Sequence, residues 1–176
     1  FRRLLDGILA AGWPLTWDTP NGVRIDTFTP ELLAKSRESG CAYLVFGIES
    51  GSPRVLKDVV DKKLDLATVE RVAWWCREAK LDTMSFFVVG FPGESAPEMR
   101  RTVAFAHRLY DRYGVTPSLF VATPLPGTRL QTAAQDAGFA QEAIGAEDLA
   151  RMTSGAFVIS TDRASADQIR KIIGME

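Results

Sequence analysis

Residues 42–52 read AYLVFGIESGS, and this segment sets the fold class. Its first part, Ala42 to Ile48, is an almost continuous apolar run, which is typical of a strand that is covered on both faces in a parallel sheet. Gly51 and the carboxylate Glu49 lie in the turn that follows, and Ser52-Pro53 predicts the start of a helix. The segment therefore predicts a βα unit whose chemistry-bearing residues follow the strand.

The same alternation of apolar run and amphipathic stretch recurs on both sides of this segment. Helix starts are predicted at Thr29-Pro30, at Asp65 and at the capping pattern of Ser95 to Glu98, and Gly40 closes the first of these helices. The other predicted strands are Pro14 to Trp17 continued through Asn21-Gly22 into Val23 to Ile25, Thr83 to Val89, and Ser118 to Ala122. Together these features predict four βα units in an α/β fold with a parallel sheet.

The pattern beyond residue 130 is less regular. It predicts a helix that ends near Gly138, a helix from about Ala146, a short strand at Ala156 to Ser160 and a last helix that begins near Ser165. We therefore expect residues 1–130 to form one domain and residues 131–176 to form a helical extension with a short strand.

Composition fits one ordinary soluble domain: 176 residues are 46% hydrophobic and 24% charged. The net charge of -1 gives no signal for nucleic acid or an anionic membrane. The longest apolar stretch, Phe86 to Pro92, is far shorter than the roughly 20 residues of a spanning helix. Cys41 and Cys76 lack the spacing of a zinc or redox site, so we expect a cytoplasmic protein with small buried cysteines. The chain begins at Phe1 without a methionine, which suggests a piece of a longer protein.

Ligands of parallel α/β folds bind beyond the carboxyl ends of the strands. In this sequence those positions are rich in glycine and proline, which let a backbone approach a ligand closely. A carboxylate such as Glu49 can accept hydrogen bonds from two neighbouring hydroxyls, as a ribose presents. The alternative is that glycine and proline supply only turn chemistry and that Glu49 caps a helix.

Four motifs in order, VFGIESGS at 45–52, VLKDVVDKK at 55–63, FFVVGFPGES at 86–95 and TPLPGTRL at 123–130, resemble the radical S-adenosylmethionine enzymes. The resemblance covers about Trp13 to Leu130 and is closest to the branch with cobalamin-binding enzymes and tRNA methylthiolases. It implies a partial TIM-like barrel in which the four units correspond to the third to sixth of six. The first two units would precede Phe1.

The resemblance also implies cofactor-binding roles for particular residues. Glu49 matches the position that contacts the ribose hydroxyls, and Lys62 resembles a basic residue facing the methionyl carboxylate. One residue more separates Leu56 from Lys62 than in the commonest spacing of the family. The remaining matches lie on the strands: Val88 and Gly90 resemble the motif beside adenine, Pro124 a backbone position at the adenine edge, and Arg24 a polar position facing substrate or cofactor. For Val88 ordinary strand core is an alternative, and for Arg24 an ion pair with Asp26 or Glu31.

The family's CxxxCxxC loop, which holds a 4Fe-4S cluster, is absent from the sequence. We therefore expect no metal ligand and no catalytic residue here, and we expect the fragment to be inactive alone. The longer parent would cleave S-adenosylmethionine (SAM) reductively at the cluster to a 5'-deoxyadenosyl radical. Methylation, methylthiolation or cyclisation could follow, and the substrate and any use of cobalamin stay open.

Two other classes of function remain as alternatives. One is a non-catalytic nucleotide-binding module that self-associates through an open sheet edge, and the same open edge predicts self-association of a truncated barrel. The other is a hydrolytic or aldol-type enzyme using Glu49 with Glu94, although the PGE context favours Glu94 as a turn or helix-start carboxylate. The single histidine, His107, is interpreted as a solvated helix residue.

Overall fold

A computed structural model describes residues 1–136, 138 and 160–174. Within them the helices are α1 (Arg2–Ala11), α2 (Pro30–Glu38), α3 (Leu66–Glu78), α4 (Ala96–Tyr113), α5 (Arg129–Asp136) and α6 (Ala166–Ile173). The strands are β1 (Trp17–Asp18), β2 (Cys41–Glu49), β3 (Asp82–Val89) and β4 (Thr116–Val121). A short 3-10 helix covers Ile25–Thr27 and a π-helical turn covers Val55–Val59.

The strands form one parallel sheet in the order β1-β2-β3-β4, so each strand pairs with its neighbour in the chain. In the parallel pair β1 and β2, Trp17 lies beside Cys41 and Asp18 beside Tyr43. A helix follows β2 and β3 before the next strand, as parallel pairing requires. The predicted α/β fold with a parallel sheet is confirmed.

Helix starts were predictable because their caps are local. Thr29 accepts a hydrogen bond from the amide of Leu32, and Asp65 accepts one from the amide of Thr68. Ser165 forms a complete capping box with Gln168. The helix starts predicted at Thr29, at Asp65 and near Ser165 are confirmed.

The first predicted strand is shorter than expected. Only Trp17 and Asp18 pair as a strand, and Val23 makes an isolated bridge to Phe46 before the chain enters the 3-10 helix. The reason is a turn in which the amide of Gly22 donates to the carbonyl of Thr19. The hydroxyl of Thr19 then accepts a hydrogen bond from the amide of Val45, which in a continuous strand would donate to a backbone carbonyl of the first strand.

The described residues divide into two compact units. The first unit contains residues 1–48, 64–86 and 106–118. Its core includes Phe28 and Phe46, whose rings meet edge to face with their centroids 5.5 Å apart. The ring of Phe1 also meets Phe28, with the two centroids 5.8 Å apart. The buried stripe of α3, formed by Val69, Val72, Ala73 and Cys76, belongs to the same unit.

The second unit contains residues 49–63 and 87–105 and, from the C-terminal part of the chain, the described residues 119–136, 138 and 160–174. Val89, Met99, Ala164 and Ile169 form a buried cluster there, against which Leu119 and Val121 pack. Phe87 and Phe105 meet edge to face with their ring centroids 6.3 Å apart. This unit carries the turns that follow β2, β3 and β4.

Among the described residues, no helix is both long enough and apolar enough to span a membrane. The predicted last helix is confirmed as α6, and α5 ends at Asp136, close to the predicted Gly138. The predicted helix from Ala146 and most of the predicted strand at 156–160 lie outside the described residues. The boundary at residue 130 stays a prediction.

Candidate functional site

Glu49, the last residue of β2, has a left-handed backbone. Its φ is 74°, a region that residues with a side chain enter rarely and at a free-energy cost. The extended backbone of β2 ends at this residue, and its side chain is half-buried. Strained backbone of this kind is concentrated at binding and catalytic sites, so it marks Glu49 as a functional candidate independently of its sequence motif.

The structure brings Glu49 and Lys62 together. Lys62 Nζ donates to Glu49 Oε1 across 3.1 Å, and the two side chains are 17% and 26% exposed. Among the described residues, Glu49 Oε2 accepts no hydrogen bond from the protein. The pair therefore presents a fixed carboxylate with an oxygen that a ligand can use.

The position of Lys62 depends on the π-helical turn at Val55–Val59. A π-helix is wider than an α-helix and accommodates an additional residue, which fits the extra residue between Leu56 and Lys62. The amide of Lys62 donates to the carbonyl of Leu56 across 2.7 Å. Asp61 has a left-handed backbone with a φ of 54° and turns the chain into Lys62. The inserted residue thus leaves Lys62 facing Glu49.

Ser50, Gly51 and Ser52 have a structural role that the sequence did not reveal. The hydroxyl of Ser50 lies 3.0 Å from that of Thr102 on α4, and the amide of Gly51 donates to the same threonine. A Cβ atom on Gly51 would lie 2.7 Å from the Cβ of Phe105 and 2.8 Å from a backbone oxygen of α4. The glycine is therefore required by close packing against α4, while the side chain of Glu49 remains partly exposed.

Glu94 holds the turn after β3. Its Oε2 accepts the amides of Gly90 across 2.7 Å and Phe91 across 3.2 Å, which confirms Glu94 as a turn carboxylate. The side chain is fully buried, and Oε1 has no hydrogen-bond partner among the described residues. Burial raises the pKa of Glu94 to about 7, against the lowering effect of the two amides. The carboxyl group fixes Gly90, whose φ is 82°.

Glu98 and Arg54 clamp the same region. Arg54 donates from Nε to Glu98 Oε1 across 2.6 Å and from Nη2 to Oε2 across 2.8 Å, and it also donates to the carbonyl of Gly93. The hydrogen bond from Arg54 holds the pKa of Glu98 far below its usual range, although desolvation opposes this. Glu98 also accepts the amide and hydroxyl of Ser95, so the predicted capping pattern is realised through the glutamate. No local sequence pattern points to Arg54.

The other predicted site residues lie in different settings. Val88 is half-buried on β3, Gly90 follows that strand directly, and Pro124 is buried in the segment after β4. Arg24, in the first unit, donates to both carboxylate oxygens of Asp26. The Arg24 ion pair left open by the sequence is therefore the one with Asp26, and a cofactor role for Arg24 stays a prediction.

No group of three or more histidine, cysteine or acidic side chains that could hold a metal ion occurs in the described part of the chain. Cys76 is buried and Cys41 is half-buried. Desolvation raises the pKa of the Cys41 thiol to about 11 and that of Cys76 to about 12, so neither is a ready thiolate. His107 is exposed on α4, in agreement with its interpretation as a solvated residue.

Two curated relatives resemble a large share of this chain. An uncharacterized methyltransferase of Pyrococcus horikoshii is 32% identical over 119 residues, which are 68% of this chain and 25% of that protein. The cytidylyl-2-hydroxyethylphosphonate methyltransferase of Streptomyces wedmorensis is 32% identical over 158 residues, which are 86% of this chain and 28% of that protein. The chain therefore spans about a quarter of the length of these relatives.

A solved structure shares the fold. The radical S-adenosylmethionine methyltransferase TsrM from Kitasatospora setae, solved with cobalamin and a [4Fe-4S] cluster bound, matches with a TM-score of 0.63 and 22% identity. The match covers 82% of this chain and 29% of that one, and it confirms the predicted fold class. The profile of the Radical SAM superfamily matches residues 5–106, more than half of the sequence. The chain belongs to the radical SAM superfamily.

Proposed function

We propose that this chain supplies the distal, ribose- and adenine-facing side of a SAM site in a longer radical SAM enzyme. The observation that carries the proposal is Glu49, held in a left-handed backbone beside Lys62 with its second carboxylate oxygen available. Ribose offers two adjacent hydroxyl donors, which a carboxylate accepts well. Lys62 neutralises Glu49 and places positive charge where the methionyl carboxylate of SAM would lie.

The turn after β3 supplies a surface suited to adenine. Gly90 has no side chain, and Val88 offers a half-buried apolar group on the preceding strand. Glu94 fixes the amide of Gly90, so this backbone is preorganised before a ligand arrives. Pro124, buried after β4, is proposed to limit the adenine edge on the other side.

The described residues fit SAM but do not fit an iron-sulfur cluster. They contain no cluster of metal-ligating side chains, and the sequence contains no CxxxCxxC loop. SAM cleaved at a cluster elsewhere in the parent would supply a 5'-deoxyadenosyl radical for hydrogen abstraction. The residues of this chain would bind and orient the nucleoside part, and the chain alone is proposed to be inactive.

Among the reactions left open by the sequence, methyl transfer is the one we favour. Both curated relatives described above are named methyltransferases, and the solved structure with the shared fold is a methyltransferase with bound cobalamin. The cobalamin bound in that solved structure supports cobalamin as a cofactor of the parent protein. A cytoplasmic location, the expectation from the sequence, belongs to the same proposal.

Calorimetric titration of SAM into the 176-residue chain tests the proposal. We expect weak binding that Glu49→Ala weakens at least tenfold, because the charge-assisted bonds to ribose are each worth about 1.5–3 kcal/mol. Lys80→Ala is the matched control, since Lys80 also has a left-handed backbone, with a φ of 52°, but lies in the first unit. This variant should bind SAM like the unmodified chain.

The same titration addresses the alternative of a non-catalytic nucleotide-binding module. Such a module should bind adenosine as well as SAM, whereas the proposed site should prefer SAM because Lys62 faces its carboxylate. Equal affinity for SAM in the Glu49→Ala variant, with the fold intact by circular dichroism, would contradict the proposed site.

A further inference from the structure

A cavity of about 360 Å³ lies in the second unit. Its walls are mainly apolar and are formed by Val60, Phe91, Pro92 and Leu130, among others. Two charged residues, Asp61 and Arg129, complete the lining. The volume is within the range of roughly 300–1,000 Å³ that is usual for small-molecule sites.

The two charges are not used within the described structure. Neither the Asp61 carboxylate nor the Arg129 guanidinium makes a hydrogen bond or ion pair with another described residue, and they do not pair with each other. Both residues are exposed, so each charge is solvated and accessible to a ligand. An apolar cavity with one available anion and one available cation is complementary to a molecule that carries both charges.

The cavity shares its segments with the candidate SAM site. Asp61 directly precedes Lys62, which binds Glu49, and Phe91 directly follows Gly90, whose position Glu94 fixes. Arg129 is the first residue of α5, in the segment that follows β4. A ligand in the cavity would therefore be held by the same turns that we assign to the cofactor.

We infer that this cavity binds the substrate of the parent enzyme and that this substrate is an apolar α-amino acid in its zwitterionic form. Arg129 binds the carboxylate, Asp61 binds the ammonium group, and the apolar walls at Phe91 and Pro92 cover the side chain. The inference rests on the proposed function for the identity of the ligand as substrate. The charge complementarity itself depends only on the cavity.

Three probes with the same phenyl ring test the inference. L-Phenylalanine carries both charges, 3-phenylpropanoate only the anion, and 2-phenylethylamine only the cation. Each is titrated into the ¹⁵N-labelled chain and followed by amide chemical shifts. We expect L-phenylalanine to bind at least tenfold more tightly than either analogue, with shifts at Val60 and Phe91. Arg129→Gln and Asp61→Asn should each remove this tenfold preference.

Arg163→Gln is the matched control, because Arg163 is an exposed arginine of the same unit that does not line the cavity. This variant should bind L-phenylalanine unchanged. Failure of L-phenylalanine to bind, or equal binding of a singly charged analogue, overturns the inference. So does retention of the preference in both cavity variants.

SAM titration separates this outcome from the proposed function. Arg129→Gln should bind SAM as the unmodified chain does, since Arg129 has no assigned role in the cofactor site. Glu49-dependent SAM binding without L-phenylalanine binding would reject the cavity and keep the cofactor site. L-Phenylalanine binding that needs both charges, without SAM binding, would reject the cofactor site and keep the cavity as an amino-acid site.

Discussion

The two units of this chain are stabilised in different ways. In the first unit the buried polar side chains are hydroxyls such as those of Ser36 and Ser85, and charged side chains pair at the surface, as Arg2 does with Glu31. The buried carboxylates of the described residues, Glu94 and Glu98, both lie in the second unit. Each is bound to backbone amides of the turns that carry the candidate site. The buried carboxylates are therefore placed where rigid turns are needed.

Backbone strain divides less sharply, because Lys80 of the first unit also has a positive φ. Two of the residues with a side chain and a positive φ, Glu49 and Asp61, lie in the second unit, where we propose ligand contacts. The comparison teaches that the second unit gives up some stability for a preorganised site. Substitutions that act on packing or buried charge should accordingly have larger effects in the second unit than their counterparts in the first.

The largest difference is expected for glycines. Gly51→Ala places a Cβ 2.7 Å from the Cβ of Phe105, so it should lower the free energy of unfolding by about 3 kcal/mol, the upper part of the range for overpacking. Gly7→Ala, in α1 of the first unit, meets no atom within 4 Å and should raise it by about 0.5–1 kcal/mol. Urea denaturation measures both.

An effect of Gly51→Ala smaller than about 1 kcal/mol would mean that α4 and the turn after β2 can separate without loss. The rigidity that we assign to the second unit would then be wrong. Gly7→Ala is the control in the same experiment, because it adds a methyl group at a helix position where no atom lies within 4 Å.

The second comparison concerns ion pairs. Arg54→Ala leaves Glu98, 8% exposed, without its guanidinium partner and should lower the free energy of unfolding by about 2 kcal/mol, less than for a fully buried pair because Arg54 is 42% exposed. Arg2→Ala breaks an exposed pair of the first unit and should change stability much less than Arg54→Ala does, because solvent screens the pair. Equal losses in urea denaturation would remove the distinction between the units.

Sequence predicted the local features of these units well. Strand periodicity and helix caps such as Thr29 and Asp65 depend on neighbouring residues, so they can be identified without the fold. The helix α1 was missed, and the interruption of the first strand by the Thr19 turn was missed because it depends on Val45 of another strand.

The candidate site was predictable only in part. Glu49 and Lys62 were identified from motifs, but their ion pair depends on the π-helical turn between them. The clamp of Arg54 on Glu98 joins residues 44 positions apart, and no local pattern signals it. The left-handed backbone of Glu49 was also invisible, because glutamate has no preference for that conformation.

The next prediction concerns the pH dependence of stability. Burial raises the pKa of Glu94 to about 7 from 4.5, so the folded chain holds a proton that the unfolded chain has lost between these values. The contribution of Glu94 to stability should therefore fall as pH rises from about 4.5 through about 7, by at most about 1.4 kcal/mol per pH unit.

Glu94→Gln should remove this decline, because an amide does not titrate and its oxygen can still accept the amides of Gly90 and Phe91. Urea denaturation of both proteins at pH 5 and pH 8 measures the difference in slope. Parallel slopes would show that Glu94 is ionised throughout, and the turn after β3 would then resemble the solvated pairs of the first unit.

The weakest effect concerns self-association, which we propose for the first unit because it exposes large apolar side chains. Leu4 and Trp13 are 61% and 63% exposed. Light scattering after size exclusion should show a concentration-dependent mass that the double variant Leu4→Ser, Trp13→Ser reduces to that of one chain. Trp74→Ser, at a ring on α3 that is 48% exposed, is the control and should leave the association unchanged. A monomer at all concentrations would reject the proposal.

The left-handed backbone of Glu49 has a consequence for protein engineering. Glycine would adopt this conformation without strain, so Glu49→Gly should be among the substitutions that a selection for thermal stability enriches. A selection for SAM binding should remove the same substitution. Position 49 is thus a site where libraries selected for stability and for ligand binding would diverge, and consensus stabilisation of this domain should leave that glutamate fixed.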